Sequence, residues 1–452
     1  MGQTSGRAGG KGSRRPERIV HLGVGAFFRA HQAWYTNQVD TAGEWGIVGY
    51  TGRSATVAEE LFGQDGKYHL ITRSAQGDTF EQIESLVRVE DGANVTDLVA
   101  TIANPEICIV TLTITEAGYR VNAGLALDTT DPAVIRDLEI LEGSEPGYPT
   151  TAVGRLALAL HVRREAGAGP IAIVPCDNMP MNGLVIRNVL VGFAAALGKE
   201  YAAYICDQVS FVTTSIDRIT PKTTEADRLL VLQETGISDA SPVVTEPFRD
   251  WVLSGSFPAG RPAWENAGAR FVEDIHPFEN RKLWLLNGSH SLLAYAGQLR
   301  GHETVAQAIA DPALLTAVTT FWDEACQELD KYPNAVELNL GDYRAALLER
   351  FRNPRIAHNL AQIAIDGATK LRVRVAPTAL AQLATGHRAA ASAFAIRAWI
   401  DWISQAKEYV DSRQDEIEAA KSSADSVAAL LQLISPELAQ HQDFLTEIRT
   451  TK

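Results

Sequence analysis

Arg18-Ile19-Val20-His21-Leu22-Gly23-Val24-Gly25-Ala26-Phe27-Phe28-Arg29-Ala30-His31 is the stretch whose reading decides the fold. Its β-branched start predicts a short strand, its glycines a tight turn, and the run from Ala26 through Trp34 and Tyr35 a helix. Gly23 permits the turn. Gly25 lets the backbone approach a pyrophosphate at a helix N-terminus, where unpaired N–H groups and the helix dipole favour an anion. Phe28 stands where the third glycine of the usual dinucleotide fingerprint would be, so the glycines alone leave a chance strand–turn–helix open. The expectation is an α/β protein with a Rossmann-type N-terminal domain and a mostly parallel sheet.

Working outward, Gly46-Ile47-Val48-Gly49-Tyr50 reads as a second strand leading into Thr51-Gly52-Arg53-Ser54. An acidic side chain near such a strand end would take the ribose hydroxyls of NAD, and none is present in that segment. Arg53 has two readings, a partner for the 2′-phosphate of NADP or an exposed loop arginine. The choice between NAD and NADP stays open, NAD being slightly favoured. Glu106 to Tyr119 forms one β-branched run of the kind a buried parallel strand shows, and Ile171-Ala172-Ile173-Val174-Pro175 repeats it before a polar elbow, Cys176-Asp177-Asn178 through Asn182-Gly183. In open parallel sheets the ligand crevice lies beyond the carboxyl ends of the strands, which is where Asp177, Asn178 and Asn182 would sit. Phe211 to Pro221 has the same form and carries Asp217, which has a salt bridge as its other reading. Strand signals nearly vanish after Ile275, where the pattern turns helical and alanine-rich: 304–329, 342–352, 359–365, 378–384, 389–406 and 423–433. The division expected is a disordered Gly/Ser/Arg-rich leader over 1–17, a dinucleotide-binding domain over 18–275 and a helical substrate domain over 276–452.

At the start of the helical half stands Pro277-Phe278-Glu279-Asn280-Arg281-Lys282-Leu283-Trp284-Leu285-Leu286-Asn287-Gly288-Ser289-His290-Ser291. Read as an α-helix, Lys282 and His290 lie about 80° apart around the axis and Asn287 about 60° from His290, so three polar groups share one broad face. A desolvated lysine there can serve as a general base, Asn287 can donate to an alcohol or carbonyl oxygen, and His290 can hold the same oxygen. The same spacing also suits an amphipathic helix with a snorkelling lysine and a satisfied core histidine.

Composition narrows the class. The chain has 452 residues, 46% hydrophobic and 21% charged, long enough for two domains with sizeable cores. A formal net charge of -14 argues against nucleic acid as a partner. The 4 cysteines are widely spaced, with no zinc-ligand pattern, so neither a disulfide framework nor a metal site is expected. No apolar run approaches a membrane span and no secretory core opens the chain; a cytoplasmic protein with a small-molecule substrate, monomeric or a small homo-oligomer, is expected.

Lys-x-x-x-x-Asn-Gly-Ser-His at 282–290 resembles the catalytic signature of the polyol-specific long-chain dehydrogenase (mannitol dehydrogenase) family, which includes mannitol 2-dehydrogenase, arabinitol dehydrogenase and fructuronate reductase (D-mannonate oxidoreductase). Gly-Val-Gly-Ala-Phe-x-Arg-Ala-His at 23–31, Thr-Glu-x-Gly-Tyr at 115–119, Cys-Asp-Asn-x-x-x-Asn-Gly at 176–183 and Asp-Arg-Ile-x-Pro at 217–221 are similar to that family's segments, in the same order. The resemblance implies oxidation of a secondary alcohol on a linear polyol or aldonate to a ketose or keto acid with NAD(P), without a metal. It implies Lys282 as base, Asn178 and Asn287 as oxyanion donors, His290 on the substrate oxygen and Glu279 linking the lysine to solvent. Gly23, Gly25, Ala26, Phe27, Arg29, Arg53 and Asp217 would hold the cofactor, and Asn182, His358, Gln362 and Lys370 the substrate. Mannitol-type members tend to carry Asp and Arg where this chain has His358 and Gln362. The His…Gln form resembles the fructuronate reductase branch, and His358, Lys370 and Arg374 are candidate partners for a carboxylate. Mannitol or arabinitol dehydrogenase is the alternative, and a dinucleotide-binding protein without catalysis the remote one.

Overall fold

Apolar alternation builds the first half. In the computed structural model, which describes residues 15–356 and 358–451, Val20 and Leu22 of strand β1 (Glu17–Leu22) enter one core while Ile19 enters another. Side chains of a strand point alternately to its two faces, so a strand apolar on both is covered on both. Residues 1–14 of the expected leader lie outside the described residues, and β1 begins at Glu17, whose carboxylate pairs with Arg88 at 3.0 Å.

Eleven further strands follow: β2 (Gly46–Tyr50), β3 (Tyr68–Ser74), β4 (Gly77–Ile83), β5 (Leu86–Glu90), β6 (Ile109–Leu112), β7 (Ile171–Pro175), β8 (Val209–Phe211), β9 (Thr213–Asp217), β10 (Val243–Thr245), β11 (Asp250–Ser254) and β12 (Arg270–Phe271). Six of the twelve form a sheet in the order β5-β2-β1-β6-β7-β8, every pair parallel. The chain runs outward from β1 and then restarts on its other side at β6. That reversal leaves a crevice beyond the carboxyl ends of β1 and β6.

Two small sheets accompany it, β10-β3-β4 and β12-β11-β9. They correct two expectations. The run read as one strand from Glu106 to Tyr119 ends at Leu112 and turns into a 3-10 helix at Glu116–Tyr119. Thr115 takes φ +66°, outside strand geometry, with its N–H on Asp177. The run from Phe211 also divides: β8 stays in the parallel sheet, whereas β9, with Asp217, pairs antiparallel with β11.

The chain separates into one compact unit of residues 1–73 and 77–275 and another of 74–76 and 276–452. Among the described residues no named strand falls within 276–452. The helices there follow local signals: Asp311 caps Pro312–Leu329 with Pro312 in the first turn, so the single helix expected over 304–329 is two, Val305–Ala310 and Pro312–Leu329. Among the described residues no helix is long and apolar enough to cross a membrane.

Candidate active site

The crevice of the first unit is a cavity of about 820 Å3, lined by residues that come after β1, β2, β5 and β6, among them Gly23, Thr51, Arg53, Asp91, Thr113 and Thr115. Gly23 is held at φ +103°, and a Cβ there would lie 2.0 Å from the Thr113 carbonyl oxygen. No other residue type satisfies both conditions. Beneath the turn lies His21, fully buried and stacked on Phe28 with ring centroids 3.5 Å apart. Its Nε2 faces the Gly23 carbonyl at 3.0 Å, which can only accept, so Nε2 carries the hydrogen and Nδ1 accepts from the Thr111 hydroxyl at 2.7 Å. Burial pushes the His21 pKa down from 6.5 to about 3. Phe28 thus does close packing under the turn, in place of a third glycine.

Gly25 is exposed and an added Cβ would meet only Gly23 O at 3.8 Å, leaving an open backbone approach. Ala26 and Phe27 are half-buried on the short helix after the turn, and Arg53 is exposed at the cavity wall. Two expected cofactor residues lie outside the lining of this cavity. Arg29 is buried and donates to the Ser241 carbonyl and hydroxyl at 2.5 and 3.0 Å and, through Nε, to Gly25 O at 3.3 Å, which braces the glycine turn. Asp217 is buried in the β9–β11 pair and is not among the residues lining this cavity. Sequence reasoning missed Asp91, which comes directly after β5; the Val87/Val89 alternation before Asp91-Gly92 was its signal.

The elbow after β7 is largely scaffolding. The buried Asp177 carboxylate accepts from the Ile114 and Thr115 amides and the Tyr119 hydroxyl, fixing the loop after β6. Desolvation nevertheless raises its pKa. Asn182, expected to bind substrate, is fully buried: its amide donates to Asp177 O and Thr214 O at 3.1 and 2.9 Å and accepts from Thr214 N at 2.9 Å. Its amide is engaged in tying the elbow after β7 to β9, a place in the framework behind the elbow. Gly183 beside it allows close approach, since a Cβ would lie 2.6 Å from the Thr213 hydroxyl. Asn178 is exposed just beyond β7.

In the second unit the stretch from Lys282 departs from the expected α-helix. An α-helix over His276–Arg281 passes into a π-helix over Lys282–Gly288 and then an α-helix over Ser289–Leu299. In α geometry Lys282 and Asn287 would project about 140° apart. The wider π-turn closes i→i+5 and so narrows that angle, turning residue 287 toward the side of residue 282. Lys282 and Asn287 are both half-buried. His290, buried, meets His358 edge-on at 4.8 Å and Phe351 at 5.1 Å between centroids. Burial, and then the positive field of His358, Arg350, Arg374 and Lys282, holds its pKa well below the usual histidine range. His290 is therefore a neutral imidazole.

Glu279, half-buried one turn before the lysine, lies 3.4 Å from His276 Nδ1. Lys370 donates to Ile363 O at 3.1 Å, and its pKa is lowered by burial and then by Arg374. Gln362 is exposed on the short helix Leu360–Ile363. The structure thus gathers His290 and His358, with Lys282, Arg350 and Arg374 in their field. Among the described residues no three His, Cys, Asp or Glu side chains gather as a metal-ion site.

Both halves match known family descriptions: the mannitol dehydrogenase Rossmann domain over residues 17–266 and the mannitol dehydrogenase C-terminal domain over 274–452. The chain is 36% identical to D-mannonate oxidoreductase of Escherichia coli K12, over 96% of this chain and 92% of that protein. Among solved structures it is similar to a substrate-free D-sorbitol dehydrogenase (TM-score 0.87, 31% identity, 96% of this chain and 92% of that one). It is also similar to Pseudomonas fluorescens mannitol 2-dehydrogenase in ternary complex with NAD and D-mannitol (TM-score 0.77, 32% identity, 96% and 91%). With both of its domains matched along nearly the whole length, this chain belongs to the mannitol dehydrogenase family of oxidoreductases.

Proposed function

We propose that this protein is an NAD(P)-dependent secondary-alcohol dehydrogenase that interconverts a sugar acid and its keto form, with Lys282 as general base and no metal. The observation that supports the reading is the π-helix over Lys282–Gly288, whose i→i+5 closure turns residue 287 toward the side of residue 282, together with the neutral His290. The crevice beside Gly23 suits a dinucleotide: the turn admits no Cβ, and the cavity of about 820 Å3 lies at the reversal of strand order. NAD(H), when bound, supplies the acceptor or donor of hydride. Lys282 takes the hydroxyl proton. Asn287 donates to the oxygen as it gains negative charge, a contribution of about 3 kcal/mol for such a donor. The family resemblance gives Asn178 the same task, Glu279 the relay of the proton to solvent, and Asp217 a place near the nicotinamide. Neutral His290 acts as a hydrogen-bond partner of the substrate oxygen rather than as an acid.

Charge favours a sugar acid over a neutral polyol. Arg350, Arg374 and Lys282 raise the local positive potential around His290 and His358, and Lys370 lies in the field of Arg374. A carboxylate complements such a field. A neutral polyol is the second reading, favoured by the likeness to the sorbitol and mannitol enzymes. Initial rates with D-fructuronate, D-fructose, D-mannitol, D-arabinitol and D-sorbitol, each with NAD(H) and NADP(H), test both. The expected result is a higher kcat/KM for fructuronate than for fructose; a tenfold advantage for fructose, about 1.4 kcal/mol, would return the protein to neutral polyols.

A further inference from the structure

The π-turn that brings Asn287 toward the side of Lys282 needs something to hold it, because the wider ring is rare and sits here between two α-helical segments. The amide of Ser289, where the π-helix ends, donates to Leu286 O. The Leu285 carbonyl accepts from two side chains. The Ser289 hydroxyl donates to it at 2.5 Å, and the indole N–H of Trp322 lies 2.8 Å from it and 2.7 Å from the Ser289 oxygen. Trp322 comes from Pro312–Leu329 and is fully buried, as is Ser289. Its neighbour Phe321 leaves no room at Gly288, where a Cβ would lie 2.6 Å from the ring. On the other side Arg374 Nη1 donates to Asn287 O at 3.4 Å and to the Ser291 hydroxyl at 3.2 Å.

We propose that Trp322 and Ser289 are positioning residues that lock the π-turn at the Leu285 carbonyl and thereby keep Asn287 turned toward the side of Lys282. The proposal rests on the reading of Lys282 and Asn287 as reacting-centre residues. Neither lock residue needs to touch substrate. Loss of the lock lets the turn tighten toward α geometry, which swings Asn287 away from the lysine.

Full-length Trp322→Phe keeps most of the ring volume and loses the N–H; Ser289→Ala loses only the hydroxyl. Each is compared with wild type, with Asn287→Ala and with the corresponding double variant, using NADH and the better of D-fructuronate and D-fructose. The expected single-variant result is a fall in kcat of about tenfold to a hundredfold, as for small misplacements of reacting groups, with the KM for NADH unchanged. In the Asn287→Ala background the lock variants should lower kcat no further, because their effect runs through Asn287. Wild-type kcat in both single variants, or falls that multiply with that of Asn287→Ala, would overturn the proposal. Wild-type kcat in Asn287→Ala itself would instead overturn the functional reading. Hydrogen exchange of the 282–290 segment checks the lock independently of turnover: exchange should quicken in Ser289→Ala and Trp322→Phe, and unchanged exchange would also overturn it.

Discussion

His21 and His290 are two imidazoles that the fold keeps neutral for different ends. His21 is buried under the glycine turn with both ring nitrogens engaged, and its pKa is pushed down to about 3. Above pH 6.5 neither the folded nor the unfolded chain protonates this ring, so its contribution to stability is fully present. Below 6.5 the unfolded chain binds a proton that the folded protein refuses, and stability falls by up to about 1.4 kcal/mol per pH unit until about pH 3. Urea unfolding at pH 7 and pH 5 should therefore show a loss that is smaller by about 2 kcal/mol in His21→Asn; equal losses would remove His21 from the acid limb. At His290 the lowered pKa means that no proton comes from its ring near neutrality. His290→Asn should leave the acid limb of the kcat/KM–pH profile where it stands in wild type, and a displaced limb would show that the imidazole titrates in the reaction. Residue types were legible in the sequence, their tasks less so. Asn182 and Arg29 stand in motifs that bind ligands by resemblance, yet both spend their polar atoms on the protein's own backbone. Partners such as Ser241, 212 residues from Arg29 along the chain, have no trace in local spacing.

Helix starts and strand alternation are written locally, and the elements that depend on them were read close to where they lie, as with β2 and β7. The π-turn was not. Leu283, Leu286 and Leu293 suit an α-helix equally well, and the group that satisfies the Leu285 carbonyl comes from Trp322, on another helix. A hydrophobic pattern cannot record a hydrogen bond supplied from 37 residues away. The glycine turn is the opposite case, legible because one residue type alone fits. Gly23→Ala should lower stability by more than about 2 kcal/mol, since a Cβ at φ +103° would also meet the Thr113 carbonyl. Urea denaturation checks this, and a variant as stable as wild type would mean that the loop after β6 can move aside.

For the molecule as a whole, the strand order β5-β2-β1-β6-β7-β8 fixes where a dinucleotide can sit. The net charge of -14 is the background against which a positive field around His290 and His358 stands out. Fold class came from a strand–turn–helix and from the disappearance of strand signals after Ile275, both properties of the chain read in order. Cofactor choice did not, because Arg53 stands in the loop after β2 and the acid at the cavity wall, Asp91, comes after β5. If Arg53 contacts a 2′-phosphate, Arg53→Gln should raise the KM for NADPH about tenfold and leave that for NADH unchanged. Equal effects on both would make it a loop arginine. Dialysis against a chelator should leave turnover unchanged, and activity restored by a divalent cation would contradict a lysine base acting without metal.

The proposed chemistry turns on Lys282, and single-turnover kinetics of Lys282→Ala with bound NADH test it most directly. Hydride transfer to the keto substrate should slow by about three orders of magnitude or more, NADH affinity should stay near wild type, and added methylamine should restore part of the rate. Hydride transfer at the wild-type rate in Lys282→Ala would contradict it.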